Sequence, residues 1–207
     1  MAPRKLLNFS GGLDSAYCLY DYLKRGENLV VHHIDLINRQ NRHTVEKIAV
    51  KNVLNWINRQ GFPGKYQYIQ SRFDFGTLGH RVLDANIWAF MSGVILAGNK
   101  YKDIDTLIVP RHADAFIHIR EDFSEQYGDQ RSDYLIKVLT KTIARREGKV
   151  ELPIIHMRKK EVIAAMPKEL VKLCWWCRTP NRGRACHRCF TCVQVDPIMK
   201  ELGFGTR

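Results

Sequence analysis

Apolar and polar positions fall in alternating blocks along this chain. Leu6, Leu7 and Phe9 form a short apolar run of the buried-strand type, and Ala16, Leu19, Tyr20 and Leu23 then recur at helical spacing. Asn28 to Asp35 predicts a second strand of the parallel, buried kind, with the Asp35 carboxylate at its C-terminal end. From Arg42 to Gln60 the residues Val45, Ile48, Ala49, Val53, Leu54 and Ile57 share one stripe, which predicts an amphipathic helix ended by Gly61. Tyr66 to Gln70 predicts a third strand, and residues 71–83 a loop over the site. Asn86 to Ala97 is apolar on nearly every side and predicts a helix buried on most of its surface. Asp105 to Pro110 reads as a strand and Arg111 to Asp122 as a polar stretch. Ser132 to Glu147 reads as a helix, Leu152 to Ile155 as a strand, and Arg158 to Met166 as a helix. Strands alternating with helices in this way predict an α/β fold, a doubly wound parallel sheet.

The stretch Ser10-Gly11-Gly12-Leu13-Asp14-Ser15 lies between the first strand and the first helix. Gly11 and Gly12 let the backbone take unusual angles and approach a ligand with no Cβ in the way. The first N–H groups of the following helix lack internal partners and, with the helix dipole, favour an anion there. Ser10 and Ser15 add hydroxyl donors, while Asp14 would oppose a phosphate directly. Its carboxylate therefore either N-caps the helix or holds Mg2+ against phosphate oxygens. The same residues would also suit a plain helix-entry turn.

Composition narrows the class. A chain of 207 residues allows one α/β core with a small appendage, and 45% hydrophobic with 10% aromatic content fits a globular protein. No segment approaches the roughly 18 apolar residues of a membrane span, so no membrane partner is expected. Met1-Ala2-Pro3-Arg4-Lys5 leads straight into the first strand and reads as no signal peptide. The net charge of +12 is high for an enzyme of small molecules alone and points to phosphate-rich ligands, nucleic acid or a general surface bias.

Of six cysteines, five crowd into Cys174-Trp-Trp-Cys177 and Cys186-His-Arg-Cys189-Phe-Thr-Cys192. That usage suits a metal site in a reducing cytoplasm better than a disulfide framework, and a cytoplasmic location is expected. Four thiolates suffice for a tetrahedral structural zinc, Zn2+, and the C-x2-C spacings from 186 to 192 can wrap one ion. Five cysteines compete for four places, and spacing alone leaves Cys174 among them.

The string Ser10-Gly11-Gly12-Leu13-Asp14-Ser15 resembles the SGGxDS signature of the PP-loop ATP pyrophosphatases. Joined to C-x8-C-x2-C-x2-C near the C-terminus, to Arg42-His43-x2-Glu46 and to Pro153 with Lys159 and Glu161, it resembles the 7-cyano-7-deazaguanine synthases over most of the chain, in order. Where that family carries Arg-Asn at the start of the buried helix, this chain has Ala85-Asn86; Val109 to Asp114 stands in place of its acidic segment. The resemblance implies a PP-loop domain over residues 1–170 and a zinc module over 171–207. It implies that Phe9, Ser10, Gly11, Gly12, Leu13, Asp14 and Ser15 bind ATP, that Asp14, Ser15 and Lys159 serve catalysis with Mg2+, and that Cys177, Cys186, Cys189 and Cys192 hold zinc. Arg111 and Asp114, which follow a strand end, are the candidates for substrate contact.

The implied reaction is ATP-dependent ligation. The carboxylate of 7-carboxy-7-deazaguanine is adenylated, ammonia displaces AMP, and a second activation turns the amide into a nitrile, in a deazapurine pathway serving tRNA or DNA. A small deazapurine and ammonia are the expected partners, nucleic acid is an allowed but not a required one, and a homodimer is the expected assembly. Three alternatives stand beside this: a relative that stops at the amide, a PP-loop enzyme that adenylates a tRNA base for thiolation with Cys174 as the sulfur carrier, and a non-catalytic zinc-containing nucleic-acid binder.

Overall fold

A computed structural model describes residues 4–78, 84–114, 141–145 and 149–205. Five strands form a parallel sheet: β1 (Arg4–Asn8), β2 (Leu29–Ile37), β3 (Tyr66–Asp74), β4 (Ile104–Ile108) and β5 (Lys149–Glu151), in the order β3-β2-β1-β4-β5. The helices are α1 (Leu13–Lys24), α2 (His43–Arg59), α3 (Asp84–Ala97), α4 (Lys159–Ala164), α5 (Lys168–Val171) and α6 (Phe190–Glu201).

Alternation along each strand decides which helix covers which face. Leu7 and Phe9 of the first strand and its exit point into a core built with α1, α2, α4 and α5, where Leu19, Val53, Val162 and Leu170 are buried. Leu6, Val30, Ile104 and Leu107 point the other way, onto Ala89, Ile95 and Leu96 of α3. The sheet is thus apolar on both faces, as a parallel sheet between helix layers must be. Cys174, Trp176, Cys177, Cys192, Val195 and Met199 belong to the first core, so the C-terminal segment shares its apolar interior with α1 and α2.

Two strand expectations change. The third strand runs on to Asp74, with a single 3-10 turn at Gly76–Leu78 where a loop over 71–83 was expected. The fifth is Lys149–Glu151, not Leu152 to Ile155. The apolar run after it is a pair of turns, closed by Ile155 N–H to Leu152 O at 3.2 Å and Met157 N–H to Ile154 O at 3.0 Å. Ile154 is fully buried from within the turn, so tertiary burial rather than strand pairing accounts for its hydrophobicity. The helix expected over Ser132 to Glu147 lies outside the described residues except for 141–145, of which 141–144 are helical; most of the polar stretch beyond Asp114 lies outside them too.

The strand order places β1 between β2 and β4, so the order reverses at β1. In open α/β sheets ligands bind at such a switch point, beyond the carboxyl ends of the strands.

Candidate active site

A cavity of about 410 Å³ opens at that switch point. Its floor is the turn from β1 into α1, with Ser10, Gly12, Asp14 and Ser15 in its lining; one side is the exit of β4, from Val109 to His112. Trp88 of α3 and Phe190 and Gln194 of α6 complete the walls.

The turn is held from behind. Gly11 has φ +72°, and a Cβ there would come within 2.8 Å of the Val50 backbone nitrogen in α2, so only glycine fits. The Gly11 carbonyl accepts the Trp175 N–H at 2.9 Å, which ties the loop to the cysteine segment. Ser15, buried, donates to the Gly12 carbonyl at 3.2 Å, and Ser10 Oγ accepts the Gly12 N–H at 3.3 Å. Phe9 and Leu13 are core side chains, 2% exposed each. The loop thus keeps its shape before any ligand arrives.

Asp14 does not cap α1. Gly12 occupies the N-cap position, and both Asp14 carboxylate oxygens accept from Lys159 Nζ at 2.6 Å. Lys159 is the first residue of α4, 5% exposed, and its backbone N–H donates to Asp114 Oδ1 at 2.9 Å. The same Asp114 oxygen meets His112 Nδ1. Burial alone would raise the Asp114 carboxyl, but the Lys159 N–H and His112 outweigh it and hold the carboxyl below its usual range. Asp114 is not among the cavity-lining residues, whereas Arg111, 6% exposed, is. Of the two expected substrate contacts, one therefore faces the cavity and the other positions Lys159.

The wall opposite is a partly buried charge lattice, with Arg42 and Glu46 inside and Asp84 and Arg178 nearer the surface. Arg42 donates to Glu46 Oε1 at 2.9 Å and to Asp84 Oδ2, and Arg178 reaches the same Asp84 oxygen at 3.2 Å. Burial pushes the Glu46 carboxyl up to about 7 against the pull of Arg42, which places a proton-exchanging group in the wall near neutral pH. Arg42 and Glu46 come from the Arg-His-x2-Glu string; Asp84 and Arg178 were not foreseen. Adjacency to Cys177 was the one sequence sign for Arg178.

A second unforeseen set lies deeper. Burial, with His33 alongside, drives His32 down to about 4, so its ring is neutral. Nδ1 lies 3.1 Å from Asn8 Oδ1 and Nε2 lies 3.0 Å from Ser71 Oγ, an arrangement satisfied with the proton on Nδ1. Asn8 Nδ2 then donates to Ser92 Oγ at 2.9 Å, and Ser92 donates to the Trp88 carbonyl at 2.7 Å. This directional chain fixes α3, and with it Trp88, against β1 and β2. Among the described residues six buried polar side-chain atoms lack a protein partner: five, on His33, Asp35, Asn38, Gln40 and His43, lie from the second half of β2 to the first residue of α2, and the sixth is Asn86 Oδ1 in α3. Buried polar atoms require water or a ligand there.

The sulfurs of Cys177, Cys186, Cys189 and Cys192 lie within 4.8 Å of one another. A tetrahedral zinc with Zn–S near 2.3 Å needs sulfurs about 3.8 Å apart, so the donor set fits one ion. Backbone N–H groups of Arg178, Cys186 and Cys189 point at Cys189, Cys177 and Cys186 sulfurs at 3.3–3.4 Å, which favours thiolates. Cys174 stands apart: it is fully buried and its thiol donates to the Leu170 carbonyl at 3.3 Å.

No protein-family model matches the sequence, and no curated protein does. Among solved structures, the U34-tRNA thiolase NcsA from Methanococcus maripaludis, described with its 4Fe-4S cluster, is similar with a TM-score of 0.54 and 13% identity, over 98% of this chain and 68% of that one. An NMN synthetase from Francisella tularensis is similar with a TM-score of 0.49 and 14% identity, over 100% of this chain and 79% of its own. The likeness to the thiolase, with the sheet order, shows the fold, a doubly wound parallel α/β sheet, and this chain carries a four-cysteine group able to bind a metal near its C-terminus.

Proposed function

We propose that this chain is an ATP-dependent ligase that adenylates the carboxylate of 7-carboxy-7-deazaguanine and, with ammonia, forms 7-cyano-7-deazaguanine. The observation that carries the adenylating part is the Lys159–Asp14 pair at 2.6 Å on the rim of a preshaped, glycine-turned loop. A cation and a carboxylate held side by side over helix N–H groups suit a nucleotide triphosphate with its metal. Asp14 offers the hard oxygen donor that Mg2+ prefers, and the ion would neutralise phosphate charge there. Lys159, released from Asp14, would then face the leaving pyrophosphate, where fixed positive charge and the α1 N–H groups stabilise what develops in the transition state.

The carboxylate oxygen attacks the α-phosphorus and pyrophosphate leaves; ammonia adds at the acyl carbon, AMP leaves, and a proton is lost to give the amide. In the second round the amide oxygen takes AMP, and loss of both N–H protons with AMP leaves the nitrile. Glu46, with its carboxyl near 7, is the group in the wall suited to receive those protons. Trp88 and Phe190 offer flat apolar surface to a planar base, and Arg111 a cation to a carboxylate. The four thiolates would hold zinc as a closed structural site, in a C-terminal module over residues 171–207 that braces the loop and the Arg178 wall.

The fold-level likeness to a tRNA thiolase keeps thiolation as the competing chemistry, and NcsA is described with a 4Fe-4S cluster. Cys174 and Cys18, the cysteines outside the tetrad, are both fully buried and neither lines the cavity, which favours carbon–nitrogen ligation over sulfur transfer. The test is incubation of the protein with 7-carboxy-7-deazaguanine, ATP, Mg2+ and ammonium, with mass spectrometry of the base and a pyrophosphate assay. A nitrile is the expected product; an amide would move the assignment to a truncated reaction, and no turnover would reject the substrate. Asp14→Asn and Ser15→Ala should each lower pyrophosphate release at least about 100-fold with the metal retained, and full activity in both would reject the loop as the ATP site.

A further inference from the structure

Between Glu169 and Asp196 the chain contains no Asp or Glu, but it holds Lys172, Arg178, Arg182, Arg184 and Arg188. The fold gathers three of these arginines around the cysteine tetrad. Asn181 and Arg184 pair as an antiparallel bridge, with N–H to O distances of 3.0 and 2.9 Å in the two directions. Between them Arg182 and Gly183 have φ of 48° and 79°, the signature of a tight two-residue hairpin turn. This hairpin lies between Cys177 and Cys186, so its base is fixed at both ends by the tetrad, and Arg182 and Arg184 stand exposed at its tip. Arg188 is exposed on the following turn, between Cys186 and Cys189.

Some arginines elsewhere find carboxylates: Arg4 pairs with Asp103, Arg25 with Asp21, and Arg42 with Glu46, while Arg39, Arg59 and Arg72 stand singly rather than as a group. Among the described residues the side chains of Arg182, Arg184 and Arg188 have no such partner. The patch also adjoins the cavity, because Arg178 and Phe190, the residues that follow Cys177 and Cys189, line it, and Phe190 remains 44% exposed.

We propose that this metal-braced arginine hairpin is a binding surface for the phosphate backbone of a nucleic-acid strand, which lies across the cavity mouth with a base against Phe190. Guanidinium forks match phosphate oxygens in pairs, and a rigid hairpin presents them at little entropic cost. An aromatic face beside a run of cations is the arrangement by which single strands are held, through backbone charge and base stacking together. An acidic protein surface would use the charge but not the ring. The inference shares the Phe190 ring with the reaction proposed above but uses none of its chemistry, since it concerns binding alone.

The test is fluorescence anisotropy of the full chain, metal-loaded, against a labelled single strand of about 16 nucleotides, as RNA and as DNA, at several salt concentrations. Binding is expected to weaken with salt. The triple variant Arg182→Ala, Arg184→Ala, Arg188→Ala should bind at least about tenfold more weakly, with a salt slope smaller by about 2 and unchanged metal content. Phe190→Ala should lower affinity and leave the slope intact. The control Arg59→Ala, Lys65→Ala, Lys102→Ala removes equal charge from the opposite, N-terminal edge of the sheet and should leave affinity within about twofold. Absence of binding by the parent, equal loss in the control, or equal displacement of the strand by polyglutamate and by unlabelled RNA would overturn the proposal.

Discussion

Glu46 shows at the scale of one residue how burial sets chemistry. Its carboxyl is raised to about 7 by loss of solvent, with Arg42 bound to one oxygen. A carboxyl whose folded value exceeds its unfolded one binds its proton more tightly in the native state. The resulting stability is complete below the unfolded value near 4.5 and is lost as pH rises to about 7. The thermal midpoint of the parent should therefore fall between pH 5 and pH 7.5, and Glu46→Gln should flatten that fall. Parallel profiles for the two proteins would show that Glu46 does not titrate in this window.

At the scale of elements, the closest approach in the site is the turn of the loop against α2. A methyl group at Gly11 would meet backbone atoms of Val50 and Ala49 at 2.8 and 3.1 Å, and backbone cannot swing aside as a side chain can. Gly61, at φ +65°, has nothing within 4 Å of the same position. Gly61→Ala should thus cost only the left-handed strain, about 1 kcal/mol, whereas Gly11→Ala adds overpacking and should cost about 2–4 kcal/mol in urea unfolding. Equal costs would mean that α2 yields freely, and the loop would not be held as described. Asp114 works at this scale too, by joining the exit of β4 to the first turn of α4 through the Lys159 N–H.

For the whole molecule, the cysteine segment acts as a clamp. Cys177, Cys192 and Trp176 share one apolar interior with the helices behind the sheet, and Trp175 donates its N–H to the Gly11 carbonyl in the turn from β1 into α1. With a metal bound, stripping it would leave four thiol groups in a space shaped for a filled centre. Chelation should lower the thermal midpoint by about 10 °C and change tryptophan fluorescence, and elemental analysis should find one zinc per chain beforehand. A chelated protein with an unchanged midpoint would reduce the tetrad to a surface ornament.

Period and punctuation made the helices α1 and α2, the first two strands and the loop between them readable, because an amphipathic stripe, a buried apolar run and paired glycines each have a local physical cause. The cysteine spacings likewise marked the four cysteines that stand together as a possible metal group. Residues brought together from distant places were not readable from periodicity: Asp84 with Arg42 and Arg178, and Asn8 with His32 and Ser92, had no sign in the sequence, while Lys159 and Asp14 were named together only through the family resemblance. The fifth strand was misplaced because a buried apolar run looks the same in a turn as in a sheet. By itself the sequence determined that this is an α/β chain with a glycine turn between its first strand and first helix and a cysteine cluster near its end, since those are local patterns of shape and donor. Only the tertiary structure decided that both stand at one switch point, with Cys174 excluded and Asp14 held by Lys159, since long-range packing alone determines which side chains meet.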